Sequence, residues 1–310
     1  VRVVPLAADS LGVRSMATFV EAGGTGLLLD PGATLAPSRY QLPPAAEEWE
    51  ALGRALERIA AWACRADLVF VSHYHEDHFR PDPALYAGRR VWLKDPRRMV
   101  EGVQARRARE LWRTLEGRAT LRPADGALER AAGVVLEASP PLAHGLEGTT
   151  LGYLTALTVT EPGERERFVF AADVQGPLSP VVAAWLERQR PTLVYLAGPP
   201  SYVEHEVGPA AIDRAIDHLL RLVERTGCRV IMDHHAVRDP RAPERFARLW
   251  ETGRVVTAAG WLGLPERPLE ARRAQLWGRA RRPAARVAAP PRAMIRPRPV
   301  RGRAKGGFAE

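Results

Sequence analysis

The stretch VFVSHYHEDHF, residues 69–79, sets the strongest limit on how this chain can fold. LVFVS, residues 68–72, is an unbroken apolar run, the pattern of a short strand covered on both faces. Where it stops, three histidines and two acids fall within six positions. So many polar groups at the end of a buried strand need partners, because burying them unpaired costs several kcal/mol each, of order ~2–7 for a neutral group. The spacing His73-x-His75-x-Asp77-His78 offers imidazole and carboxylate donors suited to zinc, manganese or iron. Four donors in so short a loop cannot all reach one ion in good geometry. Two ions are therefore expected, with further ligands at other strand ends. Three places qualify: His144 in SPPLAHG, Asp173 closing ERFVFAAD, and His234 or His235 after CRVIMD.

The rest of the chain supplies such strand ends in quantity. Residues 1–4, 16–21 and 26–30 read as strands, and the PG at 31 and 32 turns the third. Residues 44–65 read as an amphipathic helix on Trp49, Leu52, Leu56, Ile59 and Ala63. Further strands are predicted at 91–93, 134–139, 151–159, 166–173, 192–198 and 228–233. Helices are predicted at 96–116, 180–189, 209–224 and, last, 243–251. Strands first in a group and later mixed with helices imply an α/β chain of two packed sheets with helices outside.

Charge divides the 310 residues in two. Residues 271–310 hold 12 Arg or Lys against the single acid Glu310, while the preceding 270 hold 33 basic and 35 acidic side chains. The basicity behind the net +9 thus belongs to the end of the chain, where Arg, Pro, Ala and Gly dominate without apolar periodicity. Residues 1–275 are expected to form one domain and 276–310 a disordered tail. Cys64 and Cys228 have no partners at metal-ligand spacing and are expected to be reduced core thiols, consistent with a cytoplasmic protein. No apolar run approaches the ~18 residues a membrane span requires, so no membrane partner is expected.

HYHEDH at 73–78, with His144, Asp173 and His234 or His235 in order behind it, resembles the signature of the metallo-β-lactamase superfamily. SLGVRSMATFVEAGG, LLLDPG, AHGLEG, GPPSY and DHHAVRD are similar to an uncharacterised branch of predicted hydrolases within it. The resemblance implies a four-layer αββα sandwich over residues 1–275 with two divalent metal ions, zinc first and manganese or iron as alternatives. It assigns His73, His75 and His144 to one ion and Asp77, His78 and His234 to the other, with Asp173 between. HHAVR resembles the HFSxR ending of tRNA 3′-processing relatives, which favours His234 over His235. Asp30 of LLLDPG matches an acid that supports the metal loop from behind. The implied chemistry is hydrolysis by a metal-activated water, with Asp77 orienting it and taking up its proton.

Three other side chains are candidates for touching substrate. Tyr202 follows a strand in GPPSY. Arg14 lies in a loop between early strands. Arg107 interrupts a predicted apolar face of Val103, Leu111 and Leu115. The bond cleaved is a carbon ester, thioester or lactone of a small molecule, or a phosphodiester. The alternatives are a nucleic-acid-associated phosphodiesterase or ribonuclease, or a redox-active iron or non-catalytic metal protein that meets nucleic acid through its basic tail. The absence of aromatics interleaved in that tail argues against base stacking there.

Overall fold

A computed structural model describes residues 1–280 apart from residues 101, 132 and 165. Six strands, β1 (Arg2–Pro5), β2 (Thr18–Ala22), β3 (Thr25–Leu29), β4 (Leu68–Val71), β5 (Arg90–Leu93) and β6 (Thr120–Pro123), lie side by side in chain order. β1 to β3 are antiparallel, and β3 to β6 run parallel. Parallel neighbours need crossovers, supplied by α1 (Ala46–Ala63) and α2 (Gly102–Leu115) among others. Next in the chain come β7 (Leu128–Ala131), β8 (Val134–Ala138) and a small ribbon of β9 (Leu142–Ala143) and β10 (Tyr153–Leu154). β11 (Leu157–Glu161), β12 (Glu166–Ala172), β13 (Leu193–Ala197), β14 (Arg229–Asp233) and β15 (Val255–Val256) complete a second sheet, ordered β15-β14-β13-β12-β11-β8-β7. Its parallel half, β12 to β15, is crossed by α3 (Pro180–Gln189) and the helix Pro209–Thr226.

The continuous apolar strands explain the layering. Leu27, Leu29, Leu68, Phe70 and Trp92 belong to one core with Leu136, Leu157, Phe168 and Phe170 of the second sheet. Phe70 meets Phe170 edge-on across the gap, ring centroids 6.5 Å apart. The alternate residues Leu28, Val69, Val71, Val91 and Leu93 belong to another core with Ala55, Ile59, Leu111 and Leu115 of α1 and α2. Each strand thus feeds both faces, which gives the expected sandwich of two sheets between helices. Among the described residues, no helix is long and apolar enough to cross a membrane.

Several expectations are corrected. α1 presents Ala51, Ala55, Ile59 and Ala63 to the sheet and leaves Trp49 exposed, because small side chains let the helix approach closely. α2 begins at Gly102 rather than 96 and buries Gln104, Ala108, Leu111 and Leu115, leaving Val103 in water. β6 and β7 were not expected, since TLRP and LERA lack apolar alternation. Residues 243–251 form two short helices rather than the last one, and Ala258–Trp261 and Arg273–Ala280 follow. Cys228 is buried, but Cys64, expected in the core, is exposed at the end of α1.

The boundary expected at 276 falls inside the helix Arg273–Ala280. Arg273 and Glu48, both fully buried, pair through two bonds of 2.7 and 2.8 Å. Leu276 is buried, and the Trp277 indole donates to the Pro43 carbonyl at 2.9 Å. These contacts tie residues up to 277 to the domain. The remainder of the expected tail, residues 281–310, lies outside the described residues.

Candidate metal centre

Parallel strands bring their carboxyl ends to one edge, and the polar side chains sit there. β3 leads directly into Asp30 and its neighbour β4 into Ser72 and His73. β12 delivers Asp173 and β14 delivers Asp233 and His234, while β9 leads into His144. The register of β12 slips between Phe170 and Ala172, and Ala172 takes a left-handed φ of 49°. That irregularity aims Asp173 at the sheet edge. Asp30 and His234 are also left-handed, at φ 43° and 57°. Such conformations are uncommon for non-glycine residues and cluster where side chains must be re-aimed. Gly32 is needed for another reason: a Cβ there would stand 2.2 Å from the Phe79 nitrogen and 2.6 Å from that of His78. The LLLDPG turn therefore lies directly against the histidine loop.

Asp173 is the hub. Its carboxylate lies 3.1 Å from His144 Nε2, 3.3 Å from His78 Nε2, 3.4 Å from His235 Nε2, 3.5 Å from His234 Nε2 and 3.8 Å from His73 Nε2. His73, His75, His144 and Asp173 form one group whose donor atoms all lie within 4.8 Å of one another, and Asp77, His78 and His234 form a second. The structure thus brings together every donor singled out from the sequence. Asp173, His234 and His235 make a further group, so both neighbouring histidines face the hub.

What lies behind each ring distinguishes them. Asp30, fully buried, accepts from the Ser72 amide at 2.7 Å, from the Ser72 hydroxyl at 2.5 Å and pairs with His78 Nδ1 at 2.7 Å. Asp9, from a short 3-10 helix after β1, holds His234 Nδ1 at 2.6 Å and accepts from Arg238 Nε at 2.8 Å. Arg238 reaches on to Asp77 at 3.4 Å. Asp233 accepts from the amides of Ser10, His234 and Ala258 at 3.0, 2.7 and 2.8 Å, which fixes the β14 end against the same helix. Asp9, Arg238 and Asp233 are supports not foreseen as site residues. Arg238, four residues past His234 in HHAVR, stood within a stretch already singled out. Asp9 did not, being 225 residues away from the ring it holds.

Burial drives His73 well below its ordinary value, with His78 and His75 adding to the effect. His75 is lowered to about 4 by burial and by His144, and His235 to about 3 by burial against the pull of Asp173. Burial opposes charge on Asp173 and His78 too, but their attraction for each other, joined by His234, His235 and His144 around Asp173 and by Asp30 beside His78, outweighs it, holding Asp173 well below the carboxylate range and His78 well above its own. His73, His75 and His235 are thus favoured as neutral imidazoles, the form in which an imidazole binds a metal. Among the described residues, His78 Nε2, Asp173 Oδ1 and His235 Nδ1 are buried and find no hydrogen-bond partner. Unmet nitrogen and oxygen donors converging in this way fit a divalent cation. Replacing Asp30 with asparagine is expected to weaken metal binding about 10- to 100-fold. Chelator competition measures it, and an unchanged affinity would show that the loop holds its own shape.

A cavity of about 470 Å³ opens in front of these donors, bordered by His75, Asp77, His144, Asp173 and His235. Arg14, Arg107 and Tyr202 line it as well. Arg14 is not a free anion clamp, because Glu270 holds it through two bonds of 2.6 Å. Arg107 pairs with Glu76 at 2.7 Å. The Tyr202 ring lies beneath the Arg39 guanidinium, 4.8 Å away, and 6.1 Å from the His235 ring.

The chain is 39% identical over 294 residues to a UPF0282 protein of Thermococcus gammatolerans, covering 90% of this chain and 96% of the relative. No family model matches it. Among solved structures it is similar to an isothiocyanate hydrolase from Delia radicum gut bacteria, with a TM-score of 0.52 at 15% identity over 79% of this chain and 94% of that one. It is also similar to a metal-dependent hydrolase of the β-lactamase superfamily, with a TM-score of 0.49 at 15% identity over 79% and 91%.

Proposed function

The chain belongs to the UPF0282 family and has the metallo-β-lactamase fold, and on that premise we propose that it is a dinuclear metal-dependent hydrolase of small carbon esters, thioesters or lactones. The observation that carries this reading is the convergence of two donor groups on Asp173, with buried donor atoms that find no hydrogen-bond partner among the described residues. His73, His75 and His144 would hold one cation, Asp77, His78 and His234 the other, and Asp173 both. His234 is preferred over His235 because Asp9 occupies its Nδ1 and turns its Nε2 toward Asp77 and Asp173. Bound there, two divalent cations, zinc first with manganese or iron as alternatives, supply an acidified water and polarise the electrophile.

The chain's own groups do the rest. Asp77 stands at the cavity wall, oriented by Arg238, where it can align the attacking water and accept its proton on a carboxylate oxygen. His235 and Tyr202 border the space a substrate would enter. The cavity favours carbon esters over phosphodiesters through its charge: Arg14, Arg107 and Arg238 are each already paired with an acid. A small-molecule substrate in a cytoplasmic setting is part of the same proposal. The runner-up, a ribonuclease or phosphodiesterase that meets nucleic acid through the basic residues after 280, rests on charge alone.

Metal analysis of purified protein and a panel of ester, thioester, lactone and phosphodiester compounds, run on wild type and Asp77→Ala, test the proposal. Turnover of a carbon ester class, lowered at least about a hundredfold in the variant, is expected. Turnover of none of the four classes by metal-loaded protein would overturn it, and faster turnover of phosphodiesters would move the substrate to the runner-up.

A further inference from the structure

The wall of the cavity continues onto the surface as an apolar apron. Leu151 lines the cavity and is still 37% exposed. Its carbonyl is pinned by the buried Gln104 side chain at 2.7 Å, and Gln104 in turn accepts from the Tyr74 amide at 3.0 Å within the histidine loop. Val103, beside Gln104 on α2, stands one helical turn before the cavity residue Arg107 and is 52% exposed. Met99, 49% exposed, closes the same corner: its carbonyl lies 3.8 Å from where a Cβ on Gly152 would stand, and Gln104 Nε2 lies 3.7 Å from it. Three exposed apolar residues, Leu151, Val103 and Met99, thus lie on chain segments that meet near the Gln104 side chain, and Leu151 among them lines the cavity.

Single exposed hydrophobes need no explanation, but a group of them beside a cavity marks a ligand or partner surface. The interior of the cavity points the same way, since Leu35, Val203 and Val207 face it from other sides. The cavity arginines Arg14, Arg107 and Arg238 are each paired with an acid, which leaves the apolar lining beside them free to take an uncharged group.

We infer that the substrate carries an apolar acyl chain that leaves the metal centre over Leu151 and lies on Val103 and Met99. This inference rests on the hydrolase reading of the same site. The substrate class is accordingly a medium-chain acyl ester, acyl thioester or acyl-substituted lactone, in which water adds to the acyl carbon, the bond to oxygen or sulfur breaks, and the proton lost by the water passes to the leaving group.

Binding of straight-chain carboxylates from four to ten carbons to the metal-loaded protein, measured by calorimetry, tests the path without turnover. Each added methylene that reaches the apron is expected to tighten binding about fourfold, the equivalent of ~0.8 kcal/mol. Val103→Asp and Leu151→Asp should flatten that dependence for the longer chains. Hydrolysis of matching acyl thioesters should follow the same series in kcat/KM. A flat series in wild type would overturn the inference while short-ester turnover leaves the hydrolase reading standing. Graded chain binding without hydrolysis of any ester would sink that reading and leave the apolar path. If wild type sediments as a dimer and Val103→Asp as a monomer, the apron belongs to a second copy of the chain and the inference fails.

Discussion

Asp173→Ala is expected to strip the purified protein of most of its metal and to slow hydrolysis of any accepted ester by at least roughly a thousandfold, several kcal/mol of barrier. Among the described residues no other carboxylate holds this position: five imidazoles lie within 3.8 Å of Asp173, and the two donor groups meet through it. Without it, His78 loses the main attraction that holds its proton against burial, and the rings are left facing one another. Metal content by mass spectrometry and single-turnover rates measure the two effects separately. A variant that keeps two equivalents of metal would remove Asp173 from its central role.

The second large effect is expected from Arg238→Ala. Arg238 is buried and holds Asp9 at 2.8 Å, while Asp9 holds His234. Removing the guanidinium leaves a buried carboxylate short of its cation, a change that costs about 3–5 kcal/mol. That is a large part of the net stability of an ordinary domain, about 5–15 kcal/mol. Urea unfolding of the metal-free protein at neutral pH measures it. The pH dependence carries a definite sign. Burial raises the Asp9 carboxyl, but Arg238 and His234 outweigh it and hold it below its ordinary value. Its contribution is therefore complete at neutral pH and disappears as the pH falls through that lowered value. The Asp9→Ala, Arg238→Ala double mutant should lose less than the sum of the single variants. Additive losses would mean that the two residues act independently.

How much of this could be read beforehand depended on which residues carry contrast. Buried strands such as LLL and LVFV announce themselves, and a polar residue at their ends stands out, so His73, His75, Asp77, His78, His144 and Asp173 were visible as a set. Helix faces were read less well. α1 and α2 turn alanines toward the sheet, and alanine carries little signal beside Trp49 or Val103, which the helices leave in water. The supports behind the donors were the hardest to see. Asp9 sits in an unremarkable stretch, AADSL, and its role exists only because β1 and β14 end at the same edge. Arg14 and Arg107 were visible as cavity residues, but their acid partners Glu270 and Glu76 were not, and those partners change what the arginines can do.

The separation of His73 from His234 along the chain has a consequence for biosynthesis. About 160 residues divide them, on the order of 8–30 s of translation at ordinary rates. At the start of that interval the HYHEDH segment has none of its distant companions; His144 and Asp173 follow partway through it and His234 only at its end. A nascent chain can therefore offer only a partial set of donors to a passing ion, and the complete set must await β14. Cells that load this protein faithfully need either a low free concentration of competing copper and nickel or release of early, wrong captures before synthesis ends.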